Sequence, residues 1–85
     1  MSPTPERIEL ATRIAHQQAW LAAASALMAA RQAGDLDRAA YRRRLADLHA
    51  QGASVRFLAA ATGMPRSTVH DDVQAGRHIA DGQVA

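Results

Sequence analysis

The stretch "LAAATGMPRSTVH", residues 58–70, decides the fold, because Gly63 ends one helical pattern and Pro65 begins another two positions later. Ala59 lies four positions before the glycine, and Val69 lies six positions after it. This is the spacing of a helix-turn-helix: the small alanine lets the second helix cross closely, the glycine adopts a left-handed turn, and the valine anchors the second helix in the core. The stretch therefore predicts a tight corner that presents its second helix to a DNA groove.

The same corner carries a resemblance to a known family. The run Gly-Met-Pro-Arg-Ser-Thr-Val-His, residues 63–70, resembles the segment that opens the recognition helix of IclR-type transcriptional regulators. The resemblance covers residues 55–74. That family continues with apolar residues and a β-hairpin wing, whereas this chain continues with Asp71, Asp72 and no strand alternation. The sequence therefore favours a plain helical version without a wing, similar also to sigma-factor region 4 and to resolvase-type units.

The resemblance implies which side chains read DNA bases. The N-terminal end of the second helix is expected to face base edges in the major groove. Arg66 is expected to form a bidentate contact with a guanine. Ser67 and His70 lie one turn apart on the same face, and Gln74 continues that face. These four residues are the candidate base-reading set.

A second set of residues is expected to contact the DNA backbone. Thr68 suits a phosphate oxygen, because the N-terminus of a helix has backbone N–H groups without intrahelical partners. Arg56, at the start of the preceding helix, and Arg77 are candidate phosphate clamps. Asp71 can accept a hydrogen bond from a cytosine amino group. Asp72 would repel DNA and is therefore expected at the side or back of the helix.

The composition predicts a single all-α domain that comprises residues 1–85. Apolar residues make up 48% of the chain and aromatic residues only 4%, so the core must consist of small side chains on closely approaching helices. A chain of 85 residues is too short for a catalytic domain with a deep pocket, which argues against an enzyme. The absence of cysteine excludes disulfides and favours a reducing cytoplasm. The longest apolar stretch, residues 19–30, is shorter than the roughly 20 residues of a membrane-spanning helix.

Helix start and stop signals divide this domain into a long N-terminal helix, a support helix and the helix-turn-helix, after a disordered start. The predicted ranges are 5–33, 35–51 and 54–78. The candidate N-cap residues are Thr4, Asp35 or Asp37, and Ser54. The last helix is predicted to begin at Pro65 or Arg66, and the final residues, "DGQVA", are predicted to form a frayed tail.

The first helix is apolar over a wide arc, and such a helix requires more than one neighbour. A single helix-turn-helix of this size makes few DNA contacts, whereas a two-fold dimer reads two half-sites. The helix is therefore the candidate element for a homodimer. The residues assigned to dimerisation are Ile14, Trp20, Leu21, Leu27 and Met28. The alternative is that these side chains pack against the other helices of the same chain.

No other group of residues in the sequence predicts a chemical site. The four histidines include no pair spaced four apart, and cysteine is absent, so neither a metal nor another cofactor is expected. Ser67, His70 and Asp71 crowd onto one helix without an oxyanion site, which argues against a catalytic triad. The arginines at 42–44 form either a solvated helix face or contacts to phosphate or to a protein partner.

These features predict a small transcriptional regulator, a repressor or accessory factor of bacterial, phage or plasmid origin, that binds specific double-stranded DNA. The formal charge of +2 permits a nucleic-acid partner. The alternative is a protein-interaction module whose first helix docks on RNA polymerase, a sigma factor or a toxin, with the helix-turn-helix serving only as a packing motif. An architectural or replication accessory protein is a third interpretation.

Overall fold

The computed structural model describes residues 4–80, which form four α-helices and no strand. In chain order the helices are α1 (Pro5–Gln32), α2 (Arg38–Gln51), α3 (Val55–Thr62) and α4 (Arg66–Ala80). The predicted all-α helical bundle is confirmed. The predicted disordered start falls partly on residues 1–3 and the predicted tail on residues 81–85, all of which lie outside the described part of the chain.

The start of α2 differs from the predicted one. Of the two predicted N-cap candidates, Asp37 is the cap, and its carboxylate accepts a hydrogen bond from the Ala40 N–H at 2.7 Å. Asp35 instead closes α1, because its N–H bonds back to the Ala30 carbonyl at 2.9 Å while Gly34 adopts φ +78°. This is the arrangement of a helix that ends on a left-handed glycine. Residues 35–37 therefore belong to the connection, and the predicted range of 35–51 was three residues too long.

The corner between α3 and α4 has the geometry that the sequence predicts. Ser54 caps α3 by accepting from the Phe57 N–H at 3.0 Å. Gly63 ends α3 in the left-handed conformation, with φ +74° and its N–H bonded to the Ala59 carbonyl at 2.9 Å. Three residues then separate the two helices, and Val69 is completely buried in the first turns of α4. The tight turn thus fixes the direction in which α4 leaves the core.

The core lies where α2, α3 and α4 meet, and the C-terminal half of α1 closes it. Its largest fully buried side chains are Tyr41, Leu45, Leu58, Val69 and Val73. Trp20 of α1 packs at the edge of this core, with its ring in an edge-on contact with Phe57 at a centroid distance of 6.2 Å. Its indole N–H donates to the Gln51 side chain at 3.3 Å. The tryptophan therefore joins α1 to α2 and α3.

The closest helix crossing is between α2 and α4, and it depends on Gly76. A Cβ atom at this position would overlap the backbone carbonyl of Arg42 and lie 3.0 Å from the Cβ of Ala46. Only a residue without a side chain allows the two backbones to approach this closely. Gly76 therefore allows the backbone of α4 to pack directly against α2 beside Arg42 and Ala46.

We expect Gly76→Ala to destabilise the protein by about 1–3 kcal/mol, because the added methyl group overpacks the crossing. The direction of the stability change shows whether the added methyl group meets an obstruction. The same substitution at an unobstructed helix position stabilises the protein by up to about 1 kcal/mol. Urea unfolding followed by Trp20 fluorescence measures the change. Asp71→Ala, at an exposed position of α4, is the control and should leave stability nearly unchanged. A Gly76→Ala protein as stable as the wild type would contradict this account of the crossing.

Candidate nucleic-acid interface

The four candidate base-reading residues share the exposed side of α4. Arg66, Ser67, His70 and Gln74 are all exposed to solvent. The opposite side of the helix is buried, because Val69, Val73 and Gly76 face the core and α2. The structure therefore brings the predicted set together on one polar surface. None of these four side chains belongs to the core.

Two of the three candidate phosphate-binding residues, Arg56 and Arg77, are exposed. Arg66 and Arg77 are eleven residues apart, which places them on the same edge of α4, and Arg77 lies beside His49 of α2. Arg56 is exposed in the first turn of α3. Thr68 is half-buried, so it offers less of its surface to a ligand than the arginines do. The N–H groups of residues 66–68 have no intrahelical acceptor, since the bond from Val69 to the Pro65 carbonyl at 3.0 Å opens the helix.

Asp72 does not belong to the exposed surface of α4. It is buried against α2, where its Oδ1 atom accepts a hydrogen bond from Nε of Arg42 at 2.9 Å. The acidic residue that would most oppose a polyanion is thus neutralised inside the bundle, and only Asp71 of the pair remains exposed. On the exposed side of α4, Arg66 and Arg77 outnumber this single aspartate.

The three consecutive arginines of α2 lie in different environments, because only the first pairs with Asp72. Arg42 is an internal partner of Asp72, with 24% of its side chain exposed, whereas Arg43 and Arg44 are exposed. Sequence reasoning missed this pairing. The sequence held a signal only for Asp72, which lies three residues after Val69 and directly before Val73, on the apolar side of its helix.

A second buried polar contact lies next to this ion pair. The guanidinium of Arg31, in the last turn of α1, sits over the Tyr41 ring with its carbon 4.6 Å from the ring centroid. Such a cation–π contact ties the end of α1 to α2. Burial raises the pKa of Tyr41 above its ordinary value of 10.0, and the positive charge of Arg31 opposes that rise without cancelling it.

The five residues predicted to mediate dimerisation fall into two groups. Leu27 is buried in the core of its own chain, and Trp20 and Met28 are partly buried against that core. Ile14 and Leu21 are exposed, by 45% and 49%. The alternative that α1 packs within one chain therefore describes the first group, and only the second group is available to a partner.

The described residues define a class of structure: a small helical bundle that presents the polar side of a helix from a tight glycine corner. No group of three or more His, Asp or Glu side chains within residues 4–80 is placed to hold a metal ion. None of the helices in that range is both long enough and apolar enough to cross a membrane. The chain matches no protein-family model, no curated protein and no solved structure.

We expect Arg42→Ala to destabilise the protein by up to about 3 kcal/mol, because it leaves the Asp72 carboxylate buried without its partner. Arg43→Ala removes the neighbouring, exposed guanidinium and should change stability by no more than about 0.5 kcal/mol. Urea unfolding of both variants gives the comparison. Equal stabilities of the two variants would show that the internal ion pair contributes nothing.

The raised pKa of Tyr41 predicts a loss of stability at alkaline pH. The unfolded chain releases the phenolic proton at lower pH than the folded chain, so ionisation favours unfolding. The free energy of unfolding should therefore stay constant with respect to this group below about pH 10, the ordinary tyrosine value, and fall as pH rises above it. Because the chain has one tyrosine, ultraviolet absorbance of tyrosinate reports it alone. Tyr41→Phe should abolish the alkaline fall, and its persistence in that variant would assign it to another group.

Proposed function

We propose that the chain binds specific sites on double-stranded DNA by inserting α4 into the major groove, and that it acts as a small transcriptional regulator, either a repressor or an accessory factor. One observation supports this most strongly: the polar side of α4 is exposed along its length and contributes nothing to the core. A helix held at a tight corner with its N-terminal residues outward is the arrangement that reads base edges in helix-turn-helix proteins. The proposal includes a cytoplasmic location and a bacterial, phage or plasmid origin of the gene.

In this proposal, exposed residues in the first nine positions of α4 recognise the bases. Arg66 donates two hydrogen bonds to the O6 and N7 atoms of a guanine, which is the commonest specific contact. Ser67, His70 and Gln74 contact neighbouring bases along one groove wall. Asp71, exposed on the same helix, accepts from a cytosine amino group and repels a misplaced phosphate.

The backbone contacts fix the register of α4 in the groove. Arg56 and Arg77, both exposed, bind backbone phosphates. Thr68 and the free N–H groups at the start of α4 contribute hydrogen bonds to a third phosphate. The burial of Asp72 supports this assignment, because it removes a negative charge from the approach of the DNA backbone.

The proposed active form is a homodimer. Two recognition helices related by a two-fold axis read half-sites about 34 Å apart, one turn of the duplex. Doubling the contacts raises the affinity of a unit this small into a useful range. The exposed apolar residues of α1 are available for such pairing.

The second candidate function is that of a helical interaction module which docks on the transcription machinery or on a toxin. The exposed Asp71 favours it, because a carboxylate in the middle of the α4 surface weakens attraction to DNA. In that case α1 or α4 binds protein and the corner is only a packing element. Binding to duplex DNA at low salt separates the two candidates.

We expect binding to a labelled random-sequence duplex, followed by fluorescence anisotropy, to weaken steeply between low and physiological salt. Arg77→Ala should lower the slope of log affinity against log salt by about one unit, since one phosphate contact is lost. Arg44→Ala is the matched control, because Arg44 lies in the groove between α1 and α2, away from α4. Absence of binding at low salt would favour the interaction module.

Specificity rests on Arg66. After selection of a preferred site from random DNA, Arg66→Ala should weaken binding to that site by about 1–3 kcal/mol and relax its specificity at one base pair. Affinity for non-specific DNA should fall much less. Unchanged affinity for the selected site would remove Arg66 from the base-reading set.

A further inference from the structure

The side of α1 that faces away from the bundle is apolar over most of its length. The residues through which α1 contacts the rest of the chain share one side of the helix: Trp20, Ala23, Ala24, Leu27, Met28 and Arg31. Two rows of exposed apolar residues lie outside these contacts, a small row on the opposite side and a bulky row on the flank in line with Met28. The bulky row comprises Leu10, Ile14 and Leu21, and the small row comprises Ala11, Ala15, Ala22 and Ala26. We call these two rows the outer face of α1.

The outer face continues beyond the part of α1 that the bundle supports. Every residue from 5 to 19 is exposed, so this half of the helix buries no side chain in the bundle. A helical segment of about 15 residues is marginal in water without tertiary packing. Yet four large apolar side chains on α1, namely Ile8, Leu10, Ile14 and Leu21, are 45–53% exposed. Both observations indicate that a partner covers this helix.

We propose that the partner is a second copy of this chain, and that the two α1 helices pair antiparallel through their outer faces, with the two-fold axis beside Gln18. The inference rests on the homodimer of the proposed function and specifies its interface. The spacing of the small row, four then seven then four residues, reads the same in both directions. An antiparallel copy therefore sets Ala11 against the partner's Ala26 and Ala15 against the partner's Ala22, while Ile14 meets the partner's Leu21.

Charge complementarity selects this orientation over a parallel one. Arg7 is the only charged residue within the outer face, between the two rows, and a parallel pair would set it against its own copy. In the antiparallel pair it lies beside the C-terminal turn of the partner's α1, which is the negative end of that helix dipole. The projecting residues 5–19 of each chain also come to rest on the half of the partner's helix that its bundle holds in place.

The remaining polar residues of the outer face fit the same arrangement. Gln18 lies between the two rows at the axis, where its amide can both donate to and accept from its own copy. Ser25 is small and uncharged. The face thus lacks the clustered positive charge that a nucleic acid or an anionic membrane would require, and its own surface is the complement it fits.

Light scattering on the full chain without DNA tests the pairing. We expect a particle of twice the 9.1 kDa chain mass. Leu21→Arg should weaken self-association by about a hundredfold or more, because it buries an unpaired guanidinium in the interface. Thr12→Arg adds the same charge at an exposed position outside the outer face and should remain dimeric. Trp20 fluorescence verifies that both variants keep the folded bundle. A monomeric wild type, or a Leu21→Arg protein that stays dimeric, would overturn the proposal.

Cysteine crosslinking tests the orientation, since the natural chain contains no cysteine. Gln18→Cys should crosslink to its own copy with a short thiol-reactive linker. Ala11→Cys alone should not, because the two sites lie about 20 Å apart in the antiparallel pair. A mixture of Ala11→Cys and Ala26→Cys chains should crosslink to each other. Efficient self-crosslinking of Ala11→Cys would establish a parallel pair and overturn the assignment.

These measurements are independent of DNA binding. A dimer that fails to bind any duplex would refute the proposed regulator and leave the α1 interface intact. A monomer that binds duplex DNA with a steep salt dependence would do the reverse. Arg66→Ala, which lies on α4, should leave the mass of the particle unchanged.

Discussion

The contact between the backbones of α2 and α4 at Gly76 is the constraint on which the rest of the structure depends. Because α4 can approach α2 this closely, Val69 and Val73 reach the core and Asp72 reaches Arg42. These inward contacts determine by exclusion which side chains of α4 face solvent. A one-atom change at the crossing would therefore act on the orientation of the polar surface as well as on stability.

α1 and α4 each present a second side outside the core, and these two sides differ in polarity. α4 has a buried side and a polar side, whereas α1 has a bundle-facing side over its C-terminal half and rows of apolar side chains that no residue within 4–80 buries. A polar surface bearing arginines suits a hydrated, charged ligand, and an uncharged apolar surface suits another protein. In the proposed assembly the two surfaces are on separate helices, so DNA binding and self-association do not compete for the same residues.

Local signals in the sequence predict much of this fold, because caps and turns depend on a few neighbouring residues. Gly63, Ser54 and Thr4 have the predicted conformations and hydrogen bonds. Contacts between distant segments are harder to predict: Arg42 and Asp72 are thirty residues apart, and an arginine in a basic run reads as solvated. The same limit applies to α1, where spacing identifies apolar stripes but does not show that Leu27 packs inward while Leu21 stays exposed. The assignment of base-reading residues stays a prediction, since exposure is necessary for that role without being sufficient.

In the proposed dimer, the length of α1 that is folded depends on the concentration of the chain, because residues 5–19 are packed only when two chains pair. Residues 5–19 bury no side chain in the bundle, and a helix without tertiary packing frays. Where two chains pair through the outer face, association and helix formation become one equilibrium, and mass action governs both. Dilution would then shorten the ordered part of the molecule from its N-terminal end, and protease sensitivity there would track the amount of protein in the cell.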